Sequence, residues 1–246
     1  QPSISVNCGS PVISRVSIPD GVLDRANQHS TEHTRDIPWR RNAAVKTLPG
    51  SLASTWGTTA AERTRSFPCD RYLSPFDAAY FRAVPVQAPA PIVFRWLCQL
   101  RVAPYSYDWI DNGGHKSPRE LIPGLDQLQV GQRVMTIFQL VDYEPNRHLT
   151  LRLRVARAKA LFGEIACSYV ILPREDAWCR LVVKLLVRYP PGYTGAMMRR
   201  WLPWGDLFMM RKQLLTLKHL AERQSRDAKK EEKHARDRIV GRDHRI

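Results

Sequence analysis

The stretch WCRLVVKLLVRYPPGYTGAMMRRWLPWGDLFMMRKQLLTLKHLAE, residues 178–222, decides the fold, because its hydrophobic period changes once along its length. In 178–189 the period is two. Cys179, Leu181, Val183, Leu185, Val187 and Tyr189 share one face and Arg180, Lys184 and Arg188 the other, which predicts a strand with one apolar and one wet side. Pro190-Pro191-Gly192 ends it. After a short apolar stretch at 196–202 and an expected break at Pro203, Asp206 is placed to cap a helix over 206–222. Within that helix Leu207, Met210, Leu214, Leu217 and Ala221 recur at steps of three and four, a stripe that marks one buried face.

Working upstream, residues 165–172 read as a further strand, joined to 178–189 by Pro173-Arg174-Glu175-Asp176. Residues 148–155 alternate cleanly, with Leu149, Leu151, Leu153 and Val155 opposite Thr150, Arg152 and Arg154, and 134–143 alternates more loosely before the turn at 144–147. Consecutive strands on short turns predict an antiparallel meander with one solvated face. Its apolar face needs a cover, and the 206–222 helix is the candidate. Further upstream, 80–86 reads as a strand that Pro85 pushes to a sheet edge, and 92–100 follows a helical period after Ala88-Pro89-Ala90-Pro91. Residues 103–125 form a loop rich in glycine and proline that carries Tyr105, Tyr107 and Trp109, more aromatic surface than a bare linker holds.

The flanks differ. Residues 1–65 are rich in Ser, Thr, Pro, Asn and Arg without apolar period, so a disordered or loosely packed extension is expected there. The ligand-binding domain is expected over 66–222, with a charged tail over 223–246. No run approaches the ~18 apolar residues of a membrane helix. The first residues show no charged region followed by an apolar one, as a secretory signal would. Cys8, Cys69, Cys98, Cys167 and Cys179 are odd in number, widely spaced and without a C-x-x-C pair, so free thiols in a reducing cytoplasm are expected.

The net charge of +15 and the pI of 10.1 raise the question of an anionic partner. The excess is spread: eight basic against five acidic residues in 1–65, twenty-one against twelve in 66–221, and nine against six in 222–246, or +3, +9 and +3. No dense basic stripe with interleaved aromatics appears, so specific nucleic-acid binding is not expected. A weak peripheral contact with an anionic membrane, through the tail and the basic strand face (Arg152, Arg154, Lys184, Arg188), stays open beside the ordinary reading of a solvated face.

The order strand, short helix, aromatic loop, antiparallel meander and long C-terminal helix resembles the helix-grip superfamily of START-related lipid-binding, polyketide cyclase and Bet v 1-like proteins (SRPBCC). The likeness spans residues 78–222, with RAVPVQAPAPIVFRWLCQL as first strand and helix and PWGDLFMMRKQLLTLKHLAE as the gripping helix. The run from Val86 to Trp96 is similar to the opening of bacterial polyketide-cyclase-like members. The resemblance implies an α+β fold in which a curved antiparallel sheet wraps the C-terminal helix. It also implies a cavity between them for a hydrophobic small molecule, in a superfamily that runs from cyclases to passive carriers and shares no common catalytic set.

Candidate residues follow from that frame. Tyr105, Tyr107, Trp109, Ile137, Leu151, Leu153, Tyr169, Leu185, Met210, Leu214 and Leu217 line the expected cavity, or equally well fill a core. Asp108 and Asp111, with His115 nearby, could supply acid–base chemistry at its mouth, against a plain reading as turn-capping carboxylates before Gly113-Gly114. His29-Ser30-Thr31-Glu32-His33 matches an inverted zinc-protease pattern, but in a polar stretch without a third ligand, and is read as coincidence. No metal or cofactor is expected. There is no nucleophile elbow, phosphate-binding loop or dinucleotide fingerprint. Two functions remain: binding or transport of a lipid-like or polyketide-like molecule, and a cyclase, aromatase or dehydratase acting in the same cavity. Oligomeric state is left open.

Overall fold

The computed structural model describes residues 51–111, 113–174 and 178–243, with the side chains of 110, 111 and 239–243 excepted. Cys8 and the His29–His33 motif lie outside the described residues.

One six-stranded antiparallel sheet organises the molecule. Its strands are β1 (Ala78–Val86), β2 (Arg133–Val134), β3 (Phe138–Glu144), β4 (His148–Leu153), β5 (Glu164–Pro173) and β6 (Cys179–Arg188), in the spatial order β1-β6-β5-β4-β3-β2. The longest ladder joins β5 to β6, from Glu164 opposite Arg188 to Pro173 opposite Cys179. β1 lies at the edge with Pro85 opposite Arg180, the place where a residue without an N–H is tolerated. Helices α1 (Leu52–Thr55) and α2 (Ala60–Arg63) precede the sheet, α3 (Ala90–Cys98) and α4 (Asp108–Asp111) follow β1, α5 (Ala156–Phe162) links β4 to β5, and α6 (Gly192–Asp243) closes the chain.

The front face of the sheet packs on α6 as the alternation predicts. Leu149, Leu151, Leu153, Ile165, Cys167, Tyr169, Ile171, Cys179, Leu181, Val183, Leu185 and Val187 form one buried cluster with Met210, Leu214, Leu217 and Ala221. The helix α3 joins this cluster through Val93, Phe94, Trp96 and Leu97, and Trp96 Nε1 donates to Gln224 Oε1 at 2.8 Å, which pins α3 to α6.

Four local expectations are corrected. The helix does not break at Pro203, and Asp206 is not a cap: α6 runs continuously from Gly192 to Asp243. A proline inside a helix costs about 3 kcal/mol. Here the flanking turns are held by Met198 and Leu207, both buried, and by Asp206 pairing with Arg82 across to β1. Residues 134–143 are not one strand, because Met135 and Thr136 adopt positive φ (46° and 63°) and turn the chain between β2 and β3. β4 ends at Leu153, and Val155 precedes α5, whose side chains are half-buried or exposed and so leave little helical period to read.

The fourth correction concerns the back face, which is not wet where β5 and β6 run. Phe67, Cys69 and Leu73 pack there on Phe81, Ala83, Ala166, Val182 and Leu186, a second buried layer. Lys184 is only 2% exposed, its Nζ 2.6 Å from Asp70 Oδ1 and within 6 Å of the ring centres of Phe67 and Phe81. Cys69 N donates to Ser168 Oγ, which also bonds Thr150 Oγ1. Arg188 donates to Pro75 O. The sequence carried the signal: on β6 the even positions read Arg180, Val182, Lys184, Leu186, Arg188, alternately charged and apolar, a face built to be covered with its charges paired.

Residues upstream of 66 also meet the sheet. Ala83 N donates to Trp56 O at 3.1 Å, so the segment around α1 shields the open edge of β1. Gly57 makes the approach feasible: its φ is +75°, and a Cβ there would sit 2.1 Å from Ala83 O. Arg180 Nε and Nη2 then grip both oxygens of Glu62 at 2.8 and 2.9 Å, and Nη2 reaches Gly57 O.

Candidate functional site: the interior between sheet and C-terminal helix

Of the residues expected to line a cavity, Leu151, Leu153, Tyr169, Leu185, Met210, Leu214 and Leu217 converge beneath α6, all buried, with Ile137 half-buried against them. They pack on one another. A cleft of about 530 Å³ lies elsewhere, beside Tyr189, Pro190, Thr194, Gly163 and Glu164, where the first turn of α6 meets the end of β6.

The interior is apolar with specific polar insertions. Tyr169 Oη donates to Gln213 Oε1 at 2.7 Å, and Gln213 Nε2 donates to Pro104 O at 2.6 Å, so a sheet residue is tied through α6 to the aromatic loop. Met210 Sδ and Met135 Sδ border this chain of bonds at 3.8 and 3.4 Å. Burial holds the Tyr169 phenol well above its usual range, and the neighbouring Cys167 adds to the effect.

Tyr105 stands at the end of this group, 1% exposed, with its ring edge-on to Trp96 at 6.2 Å and 87°. Its backbone sits at φ +58°, a conformation that costs a non-glycine residue of the order of 1 kcal/mol. Among the described residues its Oη has no hydrogen-bond partner. Burial first, and then the negative charge of Asp108, push its phenol up to about 12, so it remains a proton donor at neutral pH. A buried hydroxyl with an unused donor is costly and uncommon.

The second polar insertion centres on Arg82. Its Nη2 reaches Asp206 Oδ2 and Ala53 O, each at 2.7 Å, and its Nη1 reaches Phe81 O at 2.9 Å, while Nε has no partner among the described residues. Burial raises the Asp206 carboxyl against the opposing pull of Arg82. Tyr80 Oη bonds Tyr189 Oη, and burial raises both phenols. Through Tyr189 this cluster borders the cleft. Neither Arg82, Asp206, Gln213 nor the Tyr80–Tyr189 pair was expected to carry a role. Arg82 was legible as the lone charge on the front face of β1, between Tyr80 and Val84, whereas Asp206 was masked by its fitness as a cap.

The loop residues divide. Tyr107 stacks on Phe208 of α6 at 4.3 Å with 4° between planes, and Trp109 is 75% exposed. Asp108 accepts from Ser117 N at 3.0 Å and Ser117 Oγ at 2.5 Å, a loop-bracing role that matches the turn-capping reading. His115 is exposed beyond Gly113-Gly114, and the side chain of Asp111 lies outside the described residues. The four described cysteines are buried free thiols, and Cys69, Cys98, Cys167 and Cys179 are all pushed up by burial, which disfavours a nucleophilic thiolate. Among the described residues no group of three His, Cys, Asp or Glu side chains could hold a metal, and no helix is long and apolar enough to cross a membrane.

No family model matches the chain, and no curated protein matches it. Solved structures do. The di-domain ARO/CYC protein BexL of the BE-7585A biosynthetic pathway is 15% identical over 59% of this chain and 47% of its own, with a TM-score of 0.40. The Zhui aromatase/cyclase from Streptomyces sp. R1128 is 18% identical over 59% and 94%, at 0.39. Norcoclaurine synthase from Thalictrum flavum is 10% identical over 58% and 84%, at 0.38. The chain spans about half the length of the first of these. Likeness of this degree says nothing of activity, and the fold rests on the molecule's own topology. A six-stranded antiparallel sheet packed along one face on a long C-terminal helix gives this chain an α+β architecture with the order of elements expected of a helix-grip fold.

Proposed function

We propose that the interior between the sheet and α6 binds a hydrophobic small molecule that carries a hydrogen-bond acceptor, such as a ketone, ester or polyketide carbonyl. The observation that carries this reading is Tyr105: a sealed, protonated phenol whose donor is unused among the described residues, set in the apolar cluster against Trp96 and next in the chain to Pro104, which accepts from Gln213. An acceptor delivered by a ligand would satisfy it, and Met135 and Met210 are the unbranched side chains best able to re-pack around a guest. Because the residues beneath α6 are closed on one another, entry requires the 104–117 loop to lift, and the Tyr107–Phe208 stack is the contact that would part.

Native mass spectrometry and thermal shift of the full chain against a panel of fatty acids, sterols and aromatic ketones test this. A bound species retained in the gas phase, with stabilisation of about 2.7 kcal/mol at a hundredfold excess over Kd, is expected. A protein that retains nothing and melts at one temperature across the panel overturns it.

A second reading, cyclase, aromatase or dehydratase chemistry in the same interior, draws on the same phenol. A tyrosine held protonated at neutral pH can hydrogen-bond an enolising carbonyl and stabilise the oxyanion as charge develops. In that reading Asp108 and His115 at the loop would be the groups nearest the mouth. Loss of turnover in Tyr105→Phe with ligand retention intact would favour catalysis over carriage, and binding without turnover of any panel ketone would favour carriage.

A further inference from the structure

The helix α6 has two apolar faces, and among the described residues only one of them is covered. Leu207, Met210, Leu214, Leu217 and Ala221 face the sheet. On the opposite side Tyr193, Met197, Trp201, Trp204, Phe208 and Leu215 also recur at helical spacings, and all are exposed: Tyr193 by 85%, Trp201 by 66% and Trp204 by 54%. Singly exposed apolar residues are ordinary, but a continuous aromatic ridge is not. At 1.5 Å per residue this one runs about 33 Å along the helix. The Tyr107–Phe208 stack brings the 104–117 loop, with its exposed Trp109, against the same helix.

We infer that this outer face of α6 docks the protein on an anionic phospholipid surface, with the helix lying in the interfacial plane. Charge supports that occupant. Residues 192–221 contain five basic side chains and a single acidic one, Asp206, which is turned inward onto Arg82; Arg199 pairs with Asp77 and Lys218 with Glu222, so the excess positive charge rests on Arg200, Arg211 and Lys212. Arg200, Arg211 and Lys212 are exposed beside the ridge, so the face presents aromatics flanked by positive charge and no exposed carboxylate. Past residue 225 this ends, and the exposed turns of 226–238 mix both signs. Residue type favours lipid over a second copy of the chain: helix pairing wants Leu, Ile or Val at seam positions, whereas Trp and Tyr, apolar rings with one polar atom, settle at headgroup depth. The docking residues differ from the tail and strand-face charges considered from sequence, and the inference stands whether or not the interior holds a ligand.

The test is co-sedimentation of the full chain with vesicles of phosphatidylcholine containing phosphatidylserine and with vesicles of phosphatidylcholine alone, together with tryptophan emission. The intact protein is expected to sediment with the anionic vesicles, with emission shifted to the blue and binding weakened by added salt. The pair Trp201→Ala/Trp204→Ala and the pair Arg200→Glu/Lys212→Glu, each checked for an unchanged melting temperature, should each lower vesicle binding by about tenfold. Absence of vesicle binding at low salt, or full binding by the folded tryptophan variant, overturns the inference. So does an equilibrium-sedimentation mass of a dimer that the same variant returns to monomer, since the ridge is then the seam between two copies.

Discussion

Arg82 Nη2 lies 2.7 Å from Asp206 Oδ2, joining the middle of the edge strand β1 to the turn of α6 just past Pro203, with side-chain exposures of 1% and 9%. The contact binds the first strand of the sheet to the closing helix at the one point where the helix carries a proline. It explains why the chain stays helical through a residue that ordinarily ends a helix, since releasing this turn would strand a guanidinium in an apolar interior.

Removing one partner should therefore cost more than removing both. Asp206→Ala is expected to destabilise by about 3–5 kcal/mol, because Arg82 keeps its charge and its burial. Arg82→Met/Asp206→Leu should recover most of that loss. Chemical denaturation of the two variants beside the parent chain decides it, and a double variant no more stable than Asp206→Ala would mean that the unpaired guanidinium is not what the single deletion costs.

Glu62 gives a pH signature. Burial acts to raise its carboxyl, but the hydrogen bond from Arg180, the Thr59 N–H and the charge of Arg180 together outweigh burial, so its folded-state pKa ends below the ordinary 4.5. A carboxyl lowered on folding adds stability that is complete above the unfolded pKa and disappears as pH falls through the folded one. Glu62→Gln should be less stable than the parent at pH 7 by about 1–3 kcal/mol, with the gap closing below pH 4.5. Urea midpoints measured from pH 7 down to pH 3 check this, and a gap that persists at the acid end would assign the loss to shape rather than charge.

The interior gives the next expectation. Tyr105→Phe removes a buried donor that has no acceptor among the described residues, so the unliganded protein should hold its stability or gain up to about 1 kcal/mol. If a carbonyl ligand is the missing acceptor, the same variant should bind it about tenfold more weakly. Calorimetric melting with and without the ligand separates the two effects, and a strongly destabilised Tyr105→Phe would mean that the hydroxyl already has an internal role.

What the sequence makes legible here is what periodicity alone can carry. The strands within 148–189 and the stripe Leu207, Met210, Leu214, Leu217, Ala221 emerge because each follows a single period on the face they share. What stays hidden depends on contacts distant in sequence. Asp206 and Arg82 are separated by well over a hundred residues, and as an isolated residue Asp206 fits a cap perfectly well. Lys184 looks solvated until Phe67, Cys69 and Asp70 are known to lie over it. The exposed ridge of Trp201, Trp204 and Phe208 is masked for a different reason: apolar residues on both sides of one helix blur its period, and the apolar stretch before Pro203 reads as a separate short piece. Among the candidate site residues, the buried aliphatics and Tyr169 are drawn together by the fold, whereas Gln213, whose amide ties Tyr169 to the loop, has no local pattern to mark it.

The edge of β1 offers a backbone test. Gly57→Ala must place a Cβ against Ala83 O, at 2.1 Å in the present geometry, from a φ of +75° that alanine disfavours. The neighbouring bond from Ala83 N to Trp56 O would have to lengthen or break. A loss of about 2–4 kcal/mol is expected. Amide exchange should show the source: protection at Ala83 should fall more than protection in the β5–β6 ladder, and a uniform fall would instead mean that the segment around α1 is integral to the global unfolding unit.

The back face provides the last expectation, through Lys184 and Asp70. Lys184 Nζ is sealed between two phenylalanine rings and an aspartate that is itself 32% exposed on its side chain. The lysine has given up its water entirely, the aspartate only in part, so the two deletions are not equivalent. Asp70→Ala leaves an ammonium without a counter-charge in a buried layer and also removes the oxygen that accepts from Phe67 N, which should cost about 3–5 kcal/mol. Lys184→Met retains the stem that packs on Phe67 and Phe81 and removes the charge, so its cost should stay near 1 kcal/mol or vanish. The double variant Asp70→Ala/Lys184→Met should then be more stable than Asp70→Ala alone. Thermal and urea unfolding of the three proteins measure the order directly. If Lys184→Met were the more damaging single change, the segment 67–73 would be held to the sheet by the ion pair itself, not by Phe67, Cys69 and Leu73 packing on Val182 and Leu186.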